Sequence, residues 1–518
     1  MSYSSQNDRM KKSFCKIILF IGLMLFSPLT KILAQSTQVQ TKYGKIEGLK
    51  EDNILIYKGI PFAAPPLGNL RWKDPQAPAS WKEVKKCVAF SASPIQSTPV
   101  PFSCWSKEFI APPAPLSEDC LYLNIWTGAS SAKEKRPVFV WIYGGGFGSG
   151  SAACDIYDGK EYAKKGIVFV SINYRVGAIG FMAHPELTKE GKGSSGNYGL
   201  LDQVAALKWV NENISAFGGD PANVTIAGQS AGSMSVNALI ATPFAKGLFQ
   251  RAIAESGGIL GGLTLSSLAE GEKAGIALQN KLGSISIEAM RALPADSILH
   301  LSQNMGNLRF SPILDGRFLP IDLTKAFSEG KFNQVDFMSG WVSGDGALFG
   351  SQKPTKEEFI KLMNDRYGKK AEKLLTLLPH ENSEQVSASL VRLNLISFAV
   401  ISPYRLSKYN SKPSYIYEFT HVPVDKPGFP NYGAFHTSEV PYALHTLHLW
   451  DRPWQPLDLS IENKMSSYWI NFIRSGNPNG PDLPNWESNH AGFALEIGDT
   501  IQEKNNLYKE IVDVLSSE

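Results

Sequence analysis

The chain has 518 residues, 43% apolar and 19% charged, with 45 glycines and 32 prolines. That is a globular composition, and it excludes collagen, a coiled coil and a disordered chain. The net charge of +3 sits in the leader, where five basic residues stand against Asp8 alone, so residues 35–518 carry about −1. A body this close to neutral argues against a nucleic-acid partner, because phosphate binding needs clustered Lys and Arg.

In chain order, Arg9, Lys11, Lys12 and Lys16 form a basic flank, and Ile17 to Phe26 is an unbroken apolar run. Ser27-Pro28 ends the run, and Ile32-Leu33-Ala34 precedes Gln35. This is the pattern of a secretory signal peptide, residues 1–34, with cleavage near Ala34. The run has half of the ~20 residues that cross a bilayer, so no membrane anchor is expected after cleavage. No cysteine follows it as a lipid attachment site, and no other long apolar stretch stands out. The mature protein is therefore expected to be soluble and exported, periplasmic or secreted. Val39 to Gly59 alternates around Tyr43-Gly44 and Asp52-Asn53, which predicts N-terminal hairpins. Residues 61–118 are proline-rich and read as long surface loops.

Leu121–Trp126, Val138–Tyr143, Val168–Asn173 and Val224–Ala227 are short β-rich runs. Leu200–Asn213 has apolar residues at helical spacing, and Ala231–Ala241 reads as another helix. Strands alternating with helices predict an α/β fold, with a large, mostly parallel central sheet flanked by helices. From about 265 to 400 the pattern is a helical insertion, interrupted by a strand at Val335–Gly340. Tyr415–Phe419 is a further strand, and residues 460–474 form a helix with Met465, Trp469 and Phe472 on one face. No linker divides the body, so 35–518 is expected to be a single domain.

Gly228-Gln229-Ser230-Ala231-Gly232 follows a β-rich run and opens a helix. Chemistry explains the glycines: a nucleophilic serine must stand on a sharp strand-to-helix turn so that its hydroxyl projects from the sheet. Bulk at 228 or 232 would clash with the neighbouring strand or helix. The helix start offers backbone N–H groups to a developing oxyanion. A second source of N–H groups is needed from an earlier loop. Tyr143-Gly144-Gly145-Gly146-Phe147, at the end of a strand, supplies it.

These motifs resemble the type-B carboxylesterases, which include the cholinesterases, within the α/β-hydrolase fold. The resemblance spans Gly59-Ile60-Pro61-Phe62-Ala63, Ser117-Glu118-Asp119-Cys120-Leu121-Tyr122-Leu123-Asn124, the triple-glycine run, and Asn173-Tyr174-Arg175. It continues through Asn197-Tyr198-Gly199-Leu200-Leu201-Asp202-Gln203, Phe217-Gly218-Gly219-Asp220-Pro221, the serine turn, and Gly476-Asn477-Pro478-Asn479-Gly480. It implies an exported serine hydrolase that cleaves carboxylic esters through an acyl-enzyme, with small-molecule esters as substrates and no cofactor. Ser230 is the expected nucleophile. Gly145, Gly146 and Ala231 are carried over as the oxyanion hole.

The resemblance places the catalytic histidine in a Gly-Ala-x-His segment. Gly433-Ala434-Phe435-His436 matches, so His436 is the expected base. The acid is expected after a strand about a hundred residues beyond the serine, where Ser343-Gly344-Asp345-Gly346 stands. The family usually has glutamate there. Aspartate is one methylene shorter, so its loop must sit closer to His436, and aspartate serves this role in many hydrolases. Asp315 and Glu439 are rival acids, both read as structural.

Beyond the leader the cysteines are Cys87, Cys104, Cys120 and Cys154, and spacing does not choose among their three pairings. The resemblance suggests a Cys87–Cys120 bridge, with Cys104 as a substitute for Cys87. His445-x-x-His448 lacks an acidic or thiol companion, so no metal is expected. Gly191 to Gly196 satisfies G-x-G-x-x-G but follows no strand, and Ser130-x-x-Lys133 lacks the companion motifs of penicillin-recognising enzymes. Trp105, Trp341 and Phe349 are candidate pocket aromatics. Two other functions fit the fold: the same triad acting on amide, thioester or carbamate bonds, and a non-catalytic binding module. The relatives of the latter kind lack the serine that this chain keeps.

Overall fold

The N-terminal turn residues fold as their types dictate. In the computed structural model, which describes residues 37–261, 265–306, 308–350, 353–488, 492–505 and 507–516, Gln38–Gln40 pairs antiparallel with Lys45–Glu47 across Tyr43-Gly44. Strand β1 (Leu49–Glu51) pairs antiparallel with β2 (Ile54–Pro61). Asp52 and Asn53 between them have φ of 46° and 64°, which a two-residue hairpin turn requires and these side chains tolerate. The expected leader, 1–34, lies outside the described residues.

Nine more strands complete one sheet: β3 (Tyr122–Thr127), β4 (Arg136–Ile142), β5 (Val168–Ile172), β6 (Gly219–Gln229), β7 (Arg251–Glu255), β8 (Asp336–Val342), β9 (Ser414–Phe419), β10 (Phe493–Ile497) and β11 (Ile501–Asn505). Their order is β11-β10-β9-β8-β7-β6-β4-β5-β3-β2-β1. The block from β10 to β5 is parallel throughout, and both margins are antiparallel. Val138 to Ile142 and Val168 to Val170 are completely buried. Strands covered on both faces read as continuous apolar runs, which is why these were visible in the sequence.

The chain leaves β4 to one side for β5 and returns to its other side with β6. This reversal opens a crevice at the carboxyl ends of the strands, where ligands of open α/β sheets bind. Helix α1 (Tyr198–Asn213) precedes β6, and α2 (Ala231–Ala241) follows it and packs on β6 and β7. The insertion contains α3 (Ser383–Leu395) and α4 (Ile401–Tyr409), joined without a break by a π turn at Ile396–Val400. The run Ser383–Tyr409 is long and apolar enough to cross a membrane, which the sequence reading passed over, but 72% of its apolar window is buried inside the fold. Here it is a core helix. Helix α5 (Pro456–Ser475) buries Met465, Trp469 and Phe472 and packs on β4 and β6.

The expected Cys87–Cys120 bridge is not formed. Cys87, Cys104, Cys120 and Cys154 are all free thiols. Backbone bonds from Cys87 N to Glu47 O and from Lys58 N to Cys87 O hold that residue among the N-terminal strands, with its Sγ facing the Gly59 carbonyl at 3.9 Å. Cys120 instead sits in the fields of Asp202 and Arg175. Burial pushes the Cys87 and Cys104 thiols up to about 11.

Candidate active site

The serine turn is built by close approach. A Cβ at Gly228 would lie 2.5 Å from the Ile142 carbonyl oxygen, and one at Gly232 would lie 2.1 Å from the same atom. Glycine is therefore the only residue that lets α2 start so close to the end of β4. Ser230 has φ 59° and ψ −121°, a sparsely populated conformation for a residue with a side chain. Its N–H donates to the Glu255 carbonyl at 2.8 Å, and its carbonyl accepts from Met234 N–H at 2.9 Å. The strand register holds this turn too, since Gln229 pairs with Glu255 and Gly228 with Ile142.

The triple glycine lies against the serine. A Cβ at Gly144 would meet Ser230 Cβ at 2.9 Å and the Gln229 carbonyl at 2.7 Å. Gly145 and Gly146 both have positive φ, 115° and 61°, and a Cβ at Gly145 would reach the Ser149 carbonyl at 2.3 Å. Ala231 is the first residue of α2, so its N–H has no acceptor within the helix.

Asp345 follows β8 and is completely buried; His436 is 5% exposed. His436 Nδ1 and Asp345 Oδ1 are 2.6 Å apart. The other carboxylate oxygen, Oδ2, accepts from Val342 N–H at 3.0 Å. With Nδ1–H donating to the aspartate, Nε2 is the acceptor nitrogen, and Gln229 Nε2 lies 3.1 Å from it. Since Gln229 is the residue before Ser230, this contact brings the imidazole beside the serine turn.

The rival acids are engaged elsewhere. Asp315 accepts from Ser194 Oγ at 2.6 Å and from the backbone of Arg317, Phe318 and Leu319. Glu439 Oε1 accepts from Ser256 Oγ at 3.0 Å. Behind the crevice, Glu255 Oε1 accepts from Trp469 Nε1 at 2.8 Å. Burial raises Glu255 to about 8 against the opposing hydrogen bond from Trp469. Burial, followed by the charges of Asp345 and Glu255, pushes Glu439 well above the usual carboxylate range. Burial thus favours the protonated form of two acids close to Asp345 and the serine turn. The sequence weighs Glu439 only as a structural carboxylate and does not single out Glu255 or the Gln229 side chain, because burial of a polar residue carries no local sequence signal.

Aromatic walls flank His436. The Trp105 ring lies 6.4 Å away edge-on, and Trp105 Nε1 donates to Thr437 Oγ1 at 3.2 Å. Phe102 packs on Trp105 at 4.9 Å and is 59% exposed. On another side Phe398, in the π turn, lies 5.6 Å from the imidazole and contacts Phe349. Trp341 is instead a core residue, completely buried and bonded through Nε1 to Glu418.

The remaining histidines have structural partners where contacts are formed. His445 Nδ1 faces Ser466 Oγ at 3.1 Å. His421, which heads the segment leading to His436, is buried between Asp499 at 2.7 Å and Asp458 at 3.0 Å. Among the described residues no cluster of three or more His, Cys, Asp or Glu could hold a metal ion.

A mixed eleven-stranded sheet flanked by helices, with a serine turn after a central parallel strand, defines an α/β-hydrolase. The chain belongs to the carboxylesterase family, whose model matches residues 35–515. It is 35% identical to the para-nitrobenzyl esterase of Bacillus subtilis (strain 168) over 471 residues, covering 87% of this chain and 92% of that one. It is 33% identical to the fumonisin B1 esterase of Sphingopyxis macrogoltabida over 478 residues, covering 86% and 83%. A solved PNB esterase superposes with a TM-score of 0.81 at 31% identity, over 93% of this chain and all of that one. A thermophilic PNB esterase gives 0.80 at 32% identity. The protein is a carboxylic-ester hydrolase acting on small-molecule esters.

Proposed function

We propose that Ser230, His436 and Asp345 form the catalytic triad of an exported esterase whose single catalytic domain spans 35–518, released by leader cleavage near Ala34. The observation that carries this reading is the 2.6 Å contact between His436 Nδ1 and Asp345 Oδ1, made beside the serine turn. Asp345 fixes the tautomer that leaves Nε2 free to take a proton. His436 removes the Ser230 proton as Oγ attacks the ester carbonyl carbon. The oxyanion is received by the N–H groups of Gly145, Gly146 and Ala231, each contributing about 3 kcal/mol to the transition state. The imidazolium returns its proton to the departing alcohol, and an acyl-enzyme remains. Water, deprotonated by His436, then releases the carboxylic acid and restores Ser230. The scheme uses no cofactor.

The walls of Phe102, Trp105, Phe349 and Phe398 favour esters with apolar acyl or alcohol groups. A fluorophosphonate probe should label one peptide, the one containing Ser230. Ser230→Ala should lose about five orders of magnitude in kcat on an aryl ester. Labelling elsewhere, or activity retained in that variant, overturns the assignment. Mature N-terminal sequencing of protein recovered outside the cytoplasm tests export, and a start well before residue 34 overturns the cleavage site.

A further inference from the structure

A second cavity, of about 250 Å³, opens beside the π turn. Arg366, Lys370 and Arg405 line it together with Tyr367, Ser397 and Leu515, and none of the described residues lining it carries a carboxylate. Among the described residues neither Arg366 nor Arg405 forms an ion pair. Arg405 donates only to neutral oxygens, including the Leu260 carbonyl at 2.9 Å, and Arg366 stacks over the Tyr367 ring at 5.3 Å. Ser397 is 3% exposed, and among the described residues its Oγ has no hydrogen-bond partner, nor has the buried Tyr367 Oη. Buried hydroxyls are normally satisfied, so two orphans in the wall of a cationic cavity mark a place where an acceptor is missing. Guanidinium and hydroxyl donors converging on one space suit an anion with several acceptor oxygens. Ile401, Leu515 and the Tyr367 ring add apolar wall, which suits a short hydrocarbon tail.

We propose that this cavity binds a small organic carboxylate, the class of molecule that ester hydrolysis releases. The inference rests on the esterase activity for its choice of anion. Ser397 immediately precedes Phe398, whose ring lies against His436. An anion bonded to Ser397 therefore loads the same π turn that carries a wall of the active site, and such turns recur at functional positions.

The test uses the full chain with Ser230 blocked by a fluorophosphonate, so that the active site cannot take up acid. Calorimetric titration with sodium butanoate should show one saturable site. Arg366→Gln/Lys370→Gln and, separately, Ser397→Ala should weaken it at least tenfold. Butan-1-ol should not bind, and inorganic phosphate should bind more weakly than butanoate. In the unblocked enzyme, butanoate should inhibit ester turnover with a non-competitive component that the double variant lacks. No binding to the blocked protein, unchanged affinity in both variants, equal binding of phosphate, or purely competitive inhibition overturns the proposal. Failure of the probe to label Ser230 would instead count against the triad.

Discussion

Asp345 touches His436 with one oxygen and its own strand with the other. Oδ1 is 2.6 Å from the imidazole, while Oδ2 takes the N–H of Val342, three residues back. Backbone anchoring fixes the carboxylate without a second side chain. It also compensates for the short arm of aspartate, since the turn after β8 is itself drawn towards the loop bearing His436. A Cβ at Gly344 would lie 2.1 Å from the Ala434 carbonyl, so the two loops are as close as glycine permits.

Asp345→Asn should therefore cost about 10³–10⁴ in kcat with little change in KM. The amide preserves shape but favours the wrong tautomer of His436. Steady-state kinetics on an aryl ester decide, and a loss below tenfold would remove Asp345 from the triad.

Gln229 places an uncharged amide beside His436 Nε2, the nitrogen that takes the serine proton in the proposed triad. Gln229→Glu puts a carboxylate there and stabilises the imidazolium. Steady-state kcat/KM on an aryl ester should fall at least tenfold. Unchanged kinetics would mean that residue 229 does not face the base in solution.

Glu255 titrates at about 8 when folded and near 4.5 as a free side chain. Between those values the folded chain holds a proton that the unfolded chain releases, so stability is full below the lower value and falls as pH rises through the upper one. Glu255→Gln keeps an oxygen for Trp469 and removes the titration. Denaturant unfolding at pH 5 and pH 8 should show the drop between them shrink by roughly 2–4 kcal/mol. The raised Glu439 leaves a residual slope.

His421 has the opposite chemistry and the same sign. Burial disfavours its charge, but the hydrogen bonds it donates to Asp458 and Asp499 outweigh burial and raise its pKa. The stabilisation is complete below the free imidazole value and is lost as pH rises through the raised one. Asp499 is 74% exposed, so Asp499→Asn should cost less than about 1 kcal/mol at pH 6. By pH 9 the variant and the parent should unfold together.

The central parallel strands, the serine turn and the triple-glycine turn beside it were legible because each is local: a β-rich run, a fixed glycine spacing, a helix start. Strand β7 was not. Arg251-Ala252-Ile253-Ala254-Glu255 has two alanines, little β propensity and a terminal glutamate, and its strand state comes from pairing with β6 and β8 on either side. The same strand supplies both the carbonyl that holds Ser230 and the buried acid, so the support of the nucleophile was the hidden part of the site. The π turn with Phe398, and the places of Trp105 and Phe349 among the candidate aromatics, were hidden for a related reason. They are defined by contacts with His436 or Phe398 across tens to hundreds of residues, which no window of sequence displays. The Cys87–Cys120 suggestion came from the family resemblance alone, and resemblance does not orient two thiols towards each other.

Gly228, Gly232 and Gly144 leave the mounting of Ser230 no slack, because each is already in contact where a single added carbon would sit. Adaptation to new esters is thereby displaced outward, to Phe102 and Phe349 on their exposed loops. Laboratory evolution of this scaffold should accumulate its gains at that rim, while replacements among the three glycines disappear from every surviving pool.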